Sequence, residues 1–157
     1  MDRLTLALVP FLTLLAAPAH AHCGSCGVGG DDHDKNAHED GHEAAEGARV
    51  FFVAPDDGAT VKGPVTVKMG VEGMKVQPAG ELTEGTGHHH VIIDAGGVAK
   101  GTEVPADDQH IHFGKGQTEA TLALSPGEHT LTLQFADGAH RSYGPDLAAT
   151  IKVTVTE

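Results

Sequence analysis

The sequence predicts an all-β fold, an immunoglobulin-like antiparallel β-sandwich of about seven strands. Short runs rich in β-branched and aromatic residues recur from Arg49 onward, and such runs are typical of strands. Turn-forming clusters such as Ser125-Pro126-Gly127 separate the runs, because glycine and proline favour tight turns. No stretch shows the periodicity of about 3.6 residues that marks an amphipathic helix.

Each predicted strand follows from its local pattern. Val65, Val67 and Met69 alternate with polar residues or glycine, which is the period of two expected for a half-buried strand. The first run ends at the turn cluster of residues 54–58. In chain order, the predicted strands are residues 49–53, 65–71, 89–94, 109–113, 118–124, 129–135 and 150–156.

Residues 1–21 are predicted to be a signal peptide that is cleaved after Ala21. An apolar run over residues 4–17 precedes Ala19-His20-Ala21, and small residues at the first and third positions of that triplet form a cleavage site. The run is shorter than the roughly 20 residues that span a bilayer as a helix. We therefore expect a periplasmic or secreted protein with no membrane insertion after cleavage.

Residues 22–48 are predicted to be a disordered tail, and residues 49–157 the β-sandwich domain. The tail is acidic and has almost no large apolar side chains, so burial cannot offset its ordering entropy. His33, His38 and His42 stand among its carboxylates, and these two donor types suit borderline divalent ions. The alternative is a solvated linker in which the histidines are incidental.

His22, Cys23 and Cys26 stand at the new N-terminus if cleavage follows Ala21. Two thiols at this spacing can chelate one soft metal ion or close a small disulfide. An oxidising compartment favours the disulfide, and both alternatives stay open here. A thioredoxin-like redox motif is not indicated, because no βαβ pattern follows.

The charge of the chain excludes two classes of partner. A formal net charge of −12 at pH 7 repels nucleic acid and anionic membranes. Cations are the natural counterpart, and histidine is the outlier of the composition with 12 residues. We therefore expect a metal ion as ligand, with a second periplasmic protein as a further candidate partner.

Two histidine pairs form the most specific candidate site. His88 and His90 precede one apolar run, and His110 and His112 lie in another. Alternate side chains share one face of a strand, so each pair is predicted to point away from the core, with His89 turned inward. If the strands are neighbours, four imidazoles can bind one copper or zinc ion. The alternative is that these are ordinary polar residues at exposed strand positions.

Four more residues are candidate ligands. His140 and His129 are each candidates to complete the site, although the parity of His129 with Leu131 indicates burial. Met69 and Met74 carry sulfur that suits Cu(I). Met69 lies on the apolar side of its strand, so core packing is the better interpretation for it.

The blocks GTGHHH at residues 85–90 and HIHFGKGQTE at residues 110–119 resemble an uncharacterised family of small exported bacterial proteins. Residues 50–55 and 133–145 carry the same resemblance, which extends over residues 49–157. It implies a compact extracytoplasmic β domain. Because the family has no established activity, no catalytic residue is carried over.

Three functions are consistent with these observations. The leading hypothesis is a periplasmic copper or zinc buffer, chaperone or sensor. A second is an immunoglobulin-like module that binds an envelope protein or glycan, since this fold hosts many functions. A small copper or zinc metalloenzyme is the least favoured, because no Asp or Glu is tied by spacing to the histidines as a general base.

Overall fold

Two sheets built from nine strands make up the part of the chain that the structure, a computed structural model, describes, residues 43–157. The strands are β1 (Arg49–Ala54), β2 (Ala59–Lys62), β3 (Val65–Glu72), β4 (Lys75–Val76), β5 (Thr86–Ile93), β6 (His110–His112), β7 (Glu119–Leu122), β8 (Gly127–Ala136) and β9 (Ala148–Thr156). Within these residues the one helical element is a 3-10 turn at Pro145–Leu147, and no helix is long and apolar enough to cross a membrane. The predicted all-β class is confirmed.

The strand order is that of an immunoglobulin-like sandwich. The first sheet has the order β1-β3-β7, and the second has β2-β9-β8-β5, with β4 and β6 both paired to β5. In the strand lettering of the immunoglobulin fold, β1, β3 and β7 correspond to strands A, B and E of one sheet. Strands β5, β8 and β9 then correspond to C, F and G of the opposite sheet. All seven predicted strands are present. β2 and β4 were not predicted, and each pairs in parallel with its neighbour, β9 and β5 respectively.

The core lies between the two sheets and is built by alternating side chains. On β3, Val65, Val67 and Met69 are buried while the intervening Thr66 and Lys68 are exposed. Strands β5, β8 and β9 supply the facing layer, which includes Val91, Leu131, Leu133, Phe135, Val153 and Val155. The predicted core position of Met69 is confirmed, since its side chain is 3% exposed.

The opposite face of the second sheet is also covered by protein. Residues 94–109 connect β5 to β6 and lie over this face, where Ala95 O accepts a hydrogen bond from Thr132 Oγ1 (3.1 Å). In the same way, the backbone N–H of Val98 donates to Gln134 Oε1 (3.1 Å). Residues 137–147 complete the layer, where Gly144 O accepts from Gln134 Nε2 (3.0 Å). We call these two segments the cover; between the core and the cover, β5 is buried from Thr86 to Ile92.

The packed domain begins before Arg49. Glu43 forms an ion pair with Lys100, with both carboxylate oxygens 2.9 Å from Nζ. The backbone N–H of Ala45 donates to the sulfur of Met74 (3.4 Å). Residues 43–48, which we predicted as the end of a disordered tail, therefore contact the domain. The predicted signal peptide and the rest of the tail lie outside the described residues.

His89 points into the core, as predicted. Its side chain is fully buried, and its ring centroid lies 5.1 Å from that of Phe135. Neither ring nitrogen has a hydrogen-bond partner among the described residues, so the hydrogen bonding expected for a buried histidine is not seen. Burial lowers the pKa of His89 to about 4, which keeps the ring neutral at pH 7.

Replacing His89 by leucine is predicted to stabilise the metal-free domain by about 1–3 kcal/mol, because the substitution removes buried nitrogens without partners. In acid, histidine in the unfolded chain takes up a proton near pH 6.5, whereas His89 in the folded chain does so only near pH 4. Stability therefore falls as the pH drops through this window, and the gain from His89→Leu is larger at pH 5 than at pH 8. Urea unfolding at both pH values measures it.

His129→Leu is the matched control for this experiment. Both ring nitrogens of His129 have close acceptors, Asp94 Oδ2 at 2.8 Å and Ser125 O at 2.9 Å. Its replacement is therefore expected to lower the free energy of unfolding. A loss of stability in His89→Leu at both pH values would contradict the prediction.

Candidate metal centre

The second sheet brings His88, His90 and His112 together. Strands β5 and β6 pair antiparallel with His90 directly opposite His112, which confirms that the two histidine-bearing strands are neighbours. His88 lies on the same face as His90, because it is two residues away on the same strand. One ring nitrogen from each of the three residues lies within 4.8 Å of the others.

His140 adds a fourth ring from the loop after β8. Its Nε2 lies 3.2 Å from Nε2 of His112, and its ring centroid lies 5.0 Å from that of His88. Ala136, the last residue of β8, pairs with His88, so the following loop begins beside the other rings. We call His88, His90, His112 and His140 the histidine cluster.

A buried carboxylate holds the loop that carries His140. Asp137 is 2% exposed, and its Oδ1 accepts from the backbone N–H groups of Ala139 (2.8 Å) and Arg141 (2.9 Å). Its Oδ2 accepts from Arg141 Nε at 2.9 Å. The main chain of Asp137 also bonds to His140 and Arg141, at 2.9 Å in each case. These bonds close a tight loop with His140 at its tip.

His110 lies apart from the cluster. It pairs with Ile92, two positions beyond the pairing of His90 with His112, and its Nδ1 is 2.7 Å from Asp107 Oδ1. Residues two apart on a strand are separated by about 6.5–7 Å, which takes His110 away from His88. The structure therefore brings together three of the four predicted histidines of the domain, and the fourth ring is that of His140.

Burial determines the charge state of the cluster. His88 and His90 are 0% and 2% exposed, whereas His112 is exposed. Burial, followed by the nearby His112 and His140, lowers the pKa of His88 to about 4. Burial and then the nearby His88 lower the pKa of His90 to about 2. Both rings are neutral at pH 7, so they can offer lone pairs to a cation without first releasing a proton.

The closest nitrogen pair of the cluster lies at hydrogen-bond distance, slightly shorter than the spacing of a small metal ion's ligands. Nε2 of His88 and Nε2 of His90 are 3.0 Å apart. Four nitrogens at about 2.0–2.1 Å from a tetrahedral ion lie about 3.3–3.4 Å from one another. The Nδ1 atoms of the same two rings are buried with no hydrogen-bond partner among residues 43–157. Since buried polar atoms are normally satisfied, the protein atoms alone leave this network incomplete.

Gly114 makes room for the ring of His112. A Cβ atom built at Gly114 would collide with the His112 imidazole. Any other residue at position 114 would therefore push the His112 ring from its place beside His90. We did not single out this glycine from the sequence, although it follows the second histidine pair by two residues.

His129 belongs to a separate hydrogen-bonded group. Its ring lies between Asp94 Oδ2 and Ser125 O, at 2.8 and 2.9 Å. The Oγ of Ser125 is more distant, 3.4 Å from Nε2. The imidazole therefore bonds the backbone carbonyl, and the three residues do not form a nucleophile activated by a base. His129 is only partly buried, which is less burial than we predicted from its position on the same face as Leu131.

The remaining candidates divide into two groups. Met69 and Met74 lie in the hydrophobic core, with the sulfur of Met74 bonded to the backbone N–H of Ala45. The predicted ligands of the tail lie outside the described residues, and their metal binding stays a prediction; they are His22, Cys23, Cys26, His33, His38 and His42.

The fold and the cluster define an immunoglobulin-like all-β domain with a partly buried group of histidines on the outer face of one sheet. The chain belongs to the family described as a domain of unknown function (DUF4399), whose model matches residues 67–156, more than half of the chain. This match confirms the resemblance to an uncharacterised family and contains all four cluster histidines. No curated protein matches the sequence significantly.

Replacing Asp94 by Asn is predicted to lower the pKa of His129 toward its ordinary value. The hydrogen bond to Asp94, followed by that to Ser125, raises this pKa. The stabilisation is therefore complete below about pH 6.5 and is lost as the pH rises through the folded-state pKa. Asp94→Asn should cost more stability at pH 6 than at pH 9, as measured by urea unfolding, with the pKa followed by NMR titration of the ring. An unchanged pKa would show that the interaction with Asp94 does not hold the proton.

Proposed function

We propose that this protein binds a copper or zinc ion through His88, His90 and His112 and acts as a buffer, chaperone or sensor for that ion. The observation that carries the proposal is the convergence of three ring nitrogens within 4.8 Å on one sheet. Neutral imidazoles suit copper and zinc, whereas calcium and magnesium prefer oxygen ligands.

The chemistry of the cluster favours binding over catalysis. Within residues 43–157, the group of side chains that can share an ion consists of histidines alone. The charge of Asp137 acts on His88, but its carboxylate accepts three hydrogen bonds from its own loop. It is therefore engaged in holding the loop rather than placed as a general base for bound water.

The hypothesis of a protein- or glycan-binding module gains no support from the site. It would be favoured if the two histidine pairs lay on different sheets, where they could not share an ion. Instead, β5 and β6 are hydrogen-bonded neighbours. The fold alone remains compatible with such a module, as it is with many functions.

The cellular location is part of the proposal. We place the mature protein in the periplasm, supported by the predicted signal peptide at residues 1–21. Fractionation of the native cells, followed by N-terminal sequencing, tests this. A mature chain that begins at His22 in the periplasmic fraction supports the proposal, and a chain retained in the cytoplasm with Met1 or Asp2 at its start contradicts it.

We predict that His88→Ala, His90→Ala and His112→Ala each lower the affinity for Zn(II) or Cu(II) at least tenfold, about 1.4 kcal/mol, because each removes one ligand. The substitutions are made in the full mature chain with Cys23 and Cys26 changed to Ser and the tail histidines to Gln. Competition titration against a chelator of known affinity gives the dissociation constants.

His110→Ala is the matched control, because His110 bonds to Asp107 outside the cluster. Its affinity should equal that of the parent chain. Equal losses in His110→Ala and His90→Ala would contradict the assigned ligand set. Binding that none of the four substitutions changes would reject the domain site altogether.

The tail is proposed as a second binding segment, with Cys23 and Cys26 as its soft donors. Sequence alone supports this, through the spacing of the two thiols beside His22. In the reduced mature protein, Cys23→Ser with Cys26→Ser should lower the number of Cu(I) ions bound per chain and leave Zn(II) binding by the domain unchanged. An unchanged Cu(I) stoichiometry, measured by titration with a chromogenic Cu(I) chelator, would contradict a metal role for the thiols.

A further inference from the structure

We infer that His140 is the fourth ligand of the proposed ion and that it closes the coordination sphere with nitrogen. The inference rests on the proposed function. The inference goes beyond the proposed function because it assigns a ligand to the fourth coordination position, which a catalytic metal site leaves open for water or substrate. A centre closed in this way holds an ion and exchanges it with other ligands, and it does not activate a bound molecule.

The backbone of His140 lies in a left-handed conformation that is uncommon for residues other than glycine. Its φ angle is +66°, in the left-handed region that glycine adopts freely and that other L-residues occupy at an energetic cost. Strain of this kind is concentrated at functional sites, where the surrounding structure enforces it. The loop therefore carries an imidazole at a position where the main chain favours glycine.

The fold uses the main chain of His140 and leaves its ring for another role. The N–H of His140 donates to Asp137 O, and its carbonyl accepts from the N–H of Val104, both at 2.9 Å. These bonds do not depend on the side chain. The ring Nε2 of His140 lies at hydrogen-bond distance from Nε2 of His112, 3.2 Å away.

The position of the ring fits a shared ion. Its centroid lies 4.7 Å from that of His112, 5.0 Å from that of His88 and 6.0 Å from that of His90. The two short nitrogen pairs, His88 with His90 and His112 with His140, are 3.0 and 3.2 Å long. Nitrogen ligands of one tetrahedral ion lie about 3.3–3.4 Å apart, so each hydrogen-bonded pair would need to widen by only a few tenths of an ångström to share an ion. The ring of His140 therefore lies beside all three proposed ligands.

The test uses His140→Gly in the full mature chain, in the background in which the tail ligands are replaced. Glycine relieves the backbone strain, so the thermal stability of the metal-free variant should equal or exceed that of the parent. Its affinity for Cu(II) should fall at least tenfold, and added imidazole should restore the affinity. Azide should bind the copper-loaded variant and give an azide-to-copper charge-transfer absorption that the copper-loaded parent lacks.

Two further variants keep the outcome clear. Asparagine also tolerates the left-handed conformation, so the variant His140→Asn should lose affinity and bind azide as His140→Gly does. His110→Ala lies outside the cluster and should show neither the loss of affinity nor the azide absorption. A purely structural role for His140 would lower stability but would not open a position for azide.

The results separate the inference from the proposed function. If the parent binds copper and His140→Gly binds it equally well without taking up azide, the inference is overturned and the three-histidine site stands. If azide binds the copper-loaded parent as well as the variant, the centre is open and the inference is again overturned. If the parent binds neither Cu(II) nor Zn(II), the proposed function fails and the inference fails with it.

Discussion

Burial of strand β5 on both faces is the constraint on which the site depends. The core lies against Val91 and His89 on one side, and the cover lies over His88 and His90 on the other. Polar side chains on the covered face lose their water, so each must find a partner or remain uncharged. Gln134 finds its partners in the backbone of the cover. The histidines instead remain neutral, so the rings of His88 and His90 have lone pairs free to donate at pH 7.

The sequence was sufficient for seven of the nine strands and for the inward and outward faces of β3 and β5, because the alternation of apolar and polar residues indicates both. It correctly grouped His88 with His90 and turned His89 inward. It could not supply the register between β5 and β6, since the turn and the long connection between them leave the pairing undetermined. Pairing of His90 with His112 rather than with His110 is what leaves His110 outside the cluster.

Features that depend on tertiary contacts were harder to predict from the sequence. The short strands β2 and β4 carry too few residues for a period to show, and they are held by parallel pairing at the sheet edges. The cover has no periodic pattern, so its burial of β5 was not predicted. His140 had a usable signal: in an antiparallel pair, residues that follow the end of β8 lie beside the start of β5, where His88 stands.

The uneven exposure of the cluster would separate how tightly the proposed ion is held from how quickly it is exchanged. His88 and His90 lie at the buried floor, whereas His112 is open to solvent and rests against Gly114. In a metal-bound protein, an incoming ligand from a partner would displace the exposed ring first, because the buried rings cannot be reached without moving the cover. The buried pair would then govern retention, and the single exposed ring would govern the rate of hand-over. If the proposed centre binds an ion, this arrangement would hold it firmly and still release it to a protein that approaches from one side.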